Sequence, residues 1–271
     1  MEYLIKPKST ERIDILKEYA DYGGTKSDIQ FEYLFNEREN MLDIIENHNL
    51  DELVQGKTDA ESAIALMNWL CGRYRHGNPP YSILGKDSSG KQPTPQVLMA
   101  AADEWEGRTN CRGLSLILVQ LLRAFNIKAF HVTCMPYEQP FDDCHVVVSV
   151  YSESLGRHIM LDPTHNLYIR NKTGDIIGIE EFRDILLADE KTVFNDDCHG
   201  GFVKEDKRYN MYMAKNLIRI ERYIKSGYGL DGDAAGRCIL VSEKYMENET
   251  MLFEKQQQKL FVTSRKWFWS M

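Results

Sequence analysis

The clearest pattern in the chain is an apolar repeat that begins just after Asn110. Leucine and phenylalanine recur there every three or four residues, at Leu114, Leu118, Leu121, Leu122 and Phe125. This spacing is helical, and Ile117 and Val119 widen the apolar face, so the helix is expected to be buried on most sides. Cys111 stands at the first position of this predicted helix.

Three β-rich segments follow, at residues 127–135, 145–151 and 158–162. In the second segment Val146, Val148 and Val150 share one face, because side chains alternate along a strand. This apolar trio predicts a core face. His145, at the start of the strand, belongs to the other face and is free to point toward an adjacent cleft.

Helical patterns come before the cysteine helix. A capping box at Thr58 and Glu61 predicts a helix that continues toward Tyr74, and Pro95 marks the first residue of another. Residues 76–95 between them carry Gly, Pro and Ser clusters and predict a loop. Helices followed by strands indicate an α+β fold with an antiparallel sheet.

Patterns after residue 170 are weaker. Residues 179–188 predict a helix, residues 237–241 and 259–269 predict strands, and residues 206–225 are ambiguous. We expect one domain over residues 1–271, because no linker or repeat divides the chain. Its catalytic core would span about residues 58–170, with a helical N-terminal part at 1–57 and a C-terminal completion at 171–271.

Composition excludes several classes of function. The formal net charge is −8, whereas a nucleic-acid surface requires a basic patch. No apolar run approaches the roughly 20 residues of a membrane span. The first residues lack the basic start and apolar stretch of a signal peptide. These features predict a cytoplasmic protein that binds neither nucleic acid nor membrane.

Six scattered cysteines are present, and none forms a Cys-x-x-Cys pair. A chain of this size does not depend on disulfides, so reduced thiols are expected. A regulatory disulfide between Cys134 and Cys144 is the alternative. The two Cys-His neighbours in the chain lack the paired spacing of a structural zinc site.

Cys111 has the position that a reactive thiol requires. The N-terminus of a helix carries partial positive charge and unpaired backbone N–H groups, and both stabilise a thiolate. The backbone N–H of Cys111 is a candidate donor to an oxyanion. For the second donor, Trp105 and Gln96 are candidates, although Trp105 is better explained by packing at a helix end and Gln96 by solvent exposure in a first turn.

A thiol nucleophile needs a base, and the base needs a group that orients it. If a two-residue turn at Glu153-Ser154 joins the second and third strands, His145 lies directly opposite Asp162. A turn two residues longer makes them diagonal neighbours on the same face, and a shift of one residue separates them. His165 is a rival base, but it lies beyond Pro163.

Three segments together carry a resemblance: NCRGLS at 110–115, DCHVVVSVY at 143–151 and MLDPT at 160–164. In sequence and order they resemble the motif blocks of the transglutaminase-like superfamily, over about residues 58–170. The resemblance implies a papain-like fold and a catalytic triad. Cys111 would be the nucleophile, His145 the base and Asp162 the orienting group, with no metal or organic cofactor.

The implied activity is thiol-dependent transfer or hydrolysis of an amide or peptide bond. Substrates would be peptides or proteins, or a small amide. The chain lacks the long extra domains of crosslinking transglutaminases and a run of acidic residues for their calcium sites. Cysteine protease or amidase activity is therefore at least as well supported as crosslinking. The alternatives are a non-catalytic peptide-binding module that retains the fold and a structural zinc protein.

Overall fold

The computed structural model describes residues 9–78, 93–137, 143–200, 206–230, 236–246 and 259–270. Its helices are α1 (Ser9–Glu18), a 3₁₀ turn (Arg38–Met41), α2 (Leu42–Asn47), α3 (Leu50–Val54), α4 (Asp59–Arg73), α5 (Pro95–Glu104), α6 (Cys111–Ala124), α7 (Ile179–Leu187), α8 (Asp206–Asn216), α9 (Glu243–Met246) and a last short helix at Arg265–Phe268. Most of the predicted loop at 76–95 lies outside the described residues.

The strands are β1 (Glu32–Tyr33), β2 (Arg75–His76), β3 (Arg108–Thr109), β4 (Lys128–Met135), β5 (His145–Ser152), β6 (Arg157–Asp162), β7 (Leu167–Arg170), β8 (Val193–Phe194), β9 (Arg219–Tyr223), β10 (Lys225–Ser226), β11 (Arg237–Leu240) and β12 (Leu260–Val262). Eight of them form one sheet in the order β12-β11-β9-β4-β5-β6-β7-β8. Neighbours are antiparallel except β11 and β12, which run parallel. The prediction of a purely antiparallel sheet is therefore wrong at this edge.

Local capping signals explain where the two central helices begin. Thr58 accepts a hydrogen bond from the Glu61 backbone N–H, and the Glu61 carboxylate accepts one from the Thr58 N–H, so the predicted capping box at α4 is confirmed. At α6 the Asn110 side chain accepts a hydrogen bond from the Gly113 N–H at 2.9 Å. These three bonds satisfy donors that are unpaired at the start of a helix.

Each face of the large sheet carries its own hydrophobic core. On one face α2 to α6 pack on residues such as Val148 and Val150 of β5. On the other face α1, α7 and α8 pack on residues such as Val147 of β5 and Phe130 of β4. The valine trio was predicted to mark the core side, but the opposite face of β5 is covered as well.

The hairpin between β5 and β6 has a different turn from the one proposed for direct pairing. Val148 pairs with Leu161, and Ser152 pairs with Arg157. Residues 153–156 therefore form a four-residue turn, and the two-residue turn is wrong. The observed register is the longer-turn alternative, in which His145 and Asp162 are diagonal neighbours on one face.

The N-terminal and C-terminal parts are divided between the two faces. Residues 1–57 contribute α1 to one core and α2 and α3 to the other, together with the short strand β1. From the C-terminal part, β9 pairs with β4 and α8 covers the face that carries His145. Among the described helices, none is long and apolar enough to cross a bilayer.

The residues at 259–269 form strand β12 and then a helical turn, so the prediction of a single strand there is half wrong. The aromatic cluster at the end of this segment packs on the sheet. Phe268 and Trp269 are buried, and the ring of Trp269 lies 6.2 Å from that of Phe130 in β4.

Candidate active site

Cys111 is held where α6 meets the start of β5. It is the first residue of the helix, so its sulfur lies at the positive end of the helix dipole. Burial raises the pKa of this thiol, but interactions with the His145 ring, the His76 ring and the backbone N–H of Val146 lower it. Ser115, one turn further along α6, donates to the Val146 carbonyl at 3.0 Å and fixes the helix against this strand.

His145 and Asp162 form a buried pair on the face of the sheet opposite α6. Nε2 of His145 lies 2.7 Å from Oδ2 of Asp162. The exposed fraction is 3% for His145 and zero for Asp162. Because His145 is the first residue of β5, its ring stands at the end of the sheet. There it reaches both Asp162 on its own face and Cys111 from the helix on the other face.

Two further groups hold the Asp162 carboxylate. Tyr209 on α8 donates its hydroxyl to Oδ2 at 2.8 Å, and the Thr164 backbone N–H donates to Oδ1 at 2.9 Å. Asp162 thus stays charged in a site closed to water. Burial alone would raise its pKa, but the charge and hydrogen bond of His145 hold it well below its usual range.

The electrostatics favour a thiolate and an imidazolium. Burial lowers the pKa of His145, but the Asp162 charge and its hydrogen bond outweigh this effect and raise the pKa to about 10. Burial likewise raises the pKa of Cys111, but the hydrogen bonds from His145 and His76 lower it to about 6. Between these values the pair holds one proton on the imidazole and a negative charge on sulfur.

The other cysteines are placed differently. All six are free thiols, so the alternative disulfide between Cys134 and Cys144 is not formed. Burial raises the pKa of Cys71, Cys134, Cys144 and Cys238. Cys71 also donates to the Pro163 carbonyl at 3.1 Å. A lowered pKa therefore distinguishes Cys111 from these four thiols.

Two tyrosine side chains of α8, a helix in the C-terminal part of the chain, pack against histidines of the site. The ring of Tyr212 lies edge-on to His145, with centroids 5.6 Å apart, and Tyr209 stands edge-on to His165 at 5.8 Å. The sequence did not reveal either tyrosine, because residues 206–225 were ambiguous and carry no motif. Their role depends on a helix that is remote from Asp162 in the chain.

Of the two candidate oxyanion donors named from sequence, Gln96 is bonded to other residues, and Trp105 packs beside the residue that follows His76. The amide of Gln96 donates to the Asn40 carbonyl at 2.8 Å and accepts from the Tyr228 hydroxyl at 2.7 Å. Its hydrogen bonds therefore connect α5 with the N-terminal helices. Trp105 is half-buried at the end of α5. The site also contains His76, a residue that the sequence predicts to lie in a loop and to which it assigns no function.

His145, Asp162 and His165 offer ligand atoms that lie within 4.8 Å of one another, a spacing compatible with a metal ion. In the present geometry, however, Nε2 of His145 and Oδ2 of Asp162 are joined by a hydrogen bond. The carboxylate also accepts from Tyr209 and Thr164. His145 and Asp162 are thus hydrogen-bonded to each other, and the carboxylate is also held by other donors of the protein. This arrangement is that of a histidine oriented by a carboxylate.

Comparison with known proteins gives only partial likenesses. No protein-family model and no curated protein match the chain. One similar solved structure, from Cytophaga hutchinsonii and named as a candidate cysteine protease, has a TM-score of 0.35 and 18% identity over 61% of this chain and 54% of that one. Another, from Parabacteroides distasonis and named as a candidate protease, has a TM-score of 0.33 and 10% identity over 57% of this chain and 26% of that one.

Proposed function

We propose that this protein is a thiol enzyme of the transglutaminase-like, papain-related kind that cleaves or transfers an amide or peptide bond. The observation that supports it best is the continuous chain of contacts from Cys111 through His145 to Asp162. A nucleophile, a base and an orienting carboxylate in this order are what covalent acyl transfer requires. The sequence resemblance at the three motif segments points to the same residues.

In the proposed reaction the Cys111 thiolate attacks the amide carbonyl carbon, and the carbonyl π electrons move to oxygen. When the tetrahedral intermediate collapses, the carbon–nitrogen bond breaks and the His145 imidazolium gives its proton to the departing amine. The product is a thioester on Cys111. Proton transfer by a positioned histidine typically contributes about 10²–10⁴-fold to the rate.

The second half returns the enzyme to its first state. Neutral His145 takes a proton from water, or from an acceptor amine, as that group attacks the thioester. The carbon–sulfur bond then breaks and releases a carboxylic acid or a new amide together with the Cys111 thiolate. Asp162 remains charged throughout and stabilises the imidazolium, which is present at the start of the first half and forms again in the second.

The test is a screen of peptides and small amides with the wild-type protein, Cys111→Ala and Cys238→Ala. Cys238 is a buried cysteine on β11 and serves as the matched control. We expect turnover by the wild type and the Cys238 variant and none by Cys111→Ala, with a covalent acyl adduct on Cys111 found by mass spectrometry. Full activity of Cys111→Ala on a substrate of the wild type would contradict the proposal.

A peptide-binding module without catalysis predicts another result. Cys111 would then react with iodoacetamide only near the ordinary thiol pKa of about 8.5. The hydrogen bond between His145 and Asp162 and the lowered pKa of Cys111 count against this alternative. A binding site that had lost its chemistry would have no reason to keep a buried carboxylate aligned with that histidine.

A further inference from the structure

Two histidines lower the pKa of Cys111 against the effect of burial, and only one of them belongs to the proposed triad. His145 is the base of the proposed reaction, and the Val146 N–H belongs to the strand that carries it. His76 is the second, and it comes from strand β2, which pairs with the strand that leads into Cys111. Unlike the buried His145, His76 is exposed to solvent. An exposed ring near the nucleophile can be reached by a substrate.

The backbone fixes His76 relative to the nucleophile. Strands β2 and β3 run parallel, with His76 beside Thr109. The Gly77 N–H donates to the Thr109 carbonyl at 2.9 Å, and the Arg75 N–H donates to the Gly107 carbonyl at 2.8 Å. Since β3 leads through Asn110 directly into Cys111, these two bonds connect the histidine rigidly to the start of α6.

Packing behind the histidine supports the same placement. A Cβ atom at Gly77 would lie 3.0 Å from the ring of Trp105 and 3.2 Å from the side chain of Arg108. Both distances are shorter than an ordinary van der Waals contact, so a larger residue at this position would have to displace these side chains. The segment that carries His76 is thus pressed against the end of α5, and the histidine is part of a packed structure.

We propose that His76 is a second catalytic histidine, whose ring N–H donates a hydrogen bond to the Cys111 sulfur and then to the oxyanion of the tetrahedral intermediate. It acts as a donor throughout and keeps its proton, so proton transfer remains the task of His145. Negative charge moves from sulfur to the carbonyl oxygen during attack. An exposed donor beside the nucleophile is placed to follow that charge, as an oxyanion-hole group does.

This inference rests on the proposed function, and its test uses four variants. His76→Ala removes the donor, His76→Gln retains an N–H donor, and His145→Ala removes the base. His48→Ala is the matched control, because His48 lies at the end of α2 against Trp69, in the N-terminal part. Each variant is labelled with iodoacetamide from pH 4 to 9, the labelled cysteine is located by mass spectrometry, and kcat and KM are measured on a substrate from the screen.

We expect His76→Ala to shift the labelling of Cys111 to higher pH and to lower kcat by about 10²- to 10³-fold, the usual effect of removing one oxyanion donor. KM should change little, since a bond made mainly in the transition state affects kcat. His76→Gln should recover at least about tenfold of the lost kcat, because its amide donates as the ring does. His48→Ala should behave as the wild type.

Other results would overturn the inference and are distinguishable from failure of the proposed function. If His145→Ala shifts the labelling but His76→Ala changes neither labelling nor kcat, His76 is a bystander and the proposed enzyme stands. If His76→Gln is as slow as His76→Ala, the donor role is wrong. If wild-type Cys111 itself labels only near pH 8.5, the proposed function fails and this inference fails with it.

Discussion

At the scale of single residues, the site depends on one charge that is placed where water does not reach. Asp162 is fully buried, yet it accepts hydrogen bonds from His145, Tyr209 and the Thr164 backbone N–H. An unpaired buried carboxylate would be strongly unfavourable. Its negative charge keeps His145 protonated, and His145 in turn stabilises the thiolate of Cys111.

The reaction rate should be highest in the pH range where the Cys111 thiolate and the His145 imidazolium are both present. Below about pH 6 the sulfur binds a proton, and above about pH 10 the imidazole loses one. The reactive thiolate–imidazolium form is present between these values, so kcat/KM should rise through pH 6, stay level and fall toward pH 10. Initial rates at low substrate concentration test this. A single rise near pH 8.5 would contradict the ion pair.

Replacing Asp162 by asparagine should change the pKa values of both His145 and Cys111. Without the carboxylate the pKa of His145 falls, so the imidazolium that stabilises the thiolate is lost and the pKa of Cys111 rises. We expect kcat to fall by about 10²-fold or more and Cys111 labelling to move to higher pH. Asp51→Asn, which breaks only the surface ion pair with Arg38, is the control. An unchanged rate would show that Asp162 does not orient the base.

Tyr209→Phe removes one donor to Asp162 without changing the shape of the core. A hydrogen bond to a charged group contributes about 1.5–3 kcal/mol to stability, so urea unfolding should show a loss in that range. The pKa of Cys111 should shift less than in Asp162→Asn, because the carboxylate remains. Tyr228→Phe, which loses the bond to Gln96, should leave the labelling profile unchanged. An unaltered free energy of unfolding in Tyr209→Phe would show that the hydrogen bond to Asp162 does not stabilise the protein.

At the scale of secondary-structure elements, the start of α6 is the decisive point. The helix begins at Cys111 because Asn110 accepts the Gly113 N–H with its side chain. Gly113 itself is packed so tightly that a Cβ atom would lie 2.2 Å from the hydroxyl of Thr109. These contacts place the sulfur at the end of the sheet and direct the helix dipole at it.

Asn110→Ala should therefore affect both stability and chemistry. Loss of such a cap typically costs about 0.5–2 kcal/mol, and a frayed first turn weakens the stabilisation of the thiolate. We expect a lower urea midpoint together with labelling of Cys111 at higher pH. Thr58→Ala removes the cap of α4 and should lower stability by a similar amount while leaving the labelling profile unchanged. Equal labelling in both variants would show that the cap is only structural.

At the scale of the whole molecule, the central strands connect two cores. Val148 of β5 packs with α6 on one face, and Val147 packs with the α7 and α8 side on the other. His145 lies on the second face and Cys111 comes from the first. The site is complete only where both layers meet at the end of the sheet, so the C-terminal part contributes to a site whose motifs lie before residue 165.

Shared strands predict that the two layers unfold together. Leu118→Ala on the α6 side and Phe182→Ala on the α7 side should each destabilise the protein by about 2–5 kcal/mol. Each should shift one common transition, measured in urea by far-UV circular dichroism and by protection of Cys111 from alkylation. Two separate transitions would contradict the single-domain organisation that we expect for residues 1–271.

The amino-acid sequence by itself determined the elements and the chemical groups. Apolar periodicity and the capping residues define α4 and α6, and alternation defines β5, because these are local properties of the chain. The identities of Cys111, His145 and Asp162 follow from the motif segments. The tertiary structure decided the rest: the four-residue turn that makes His145 and Asp162 diagonal neighbours, and the placement of Tyr209 and His76. These depend on contacts between residues that are distant in sequence, which no local pattern encodes.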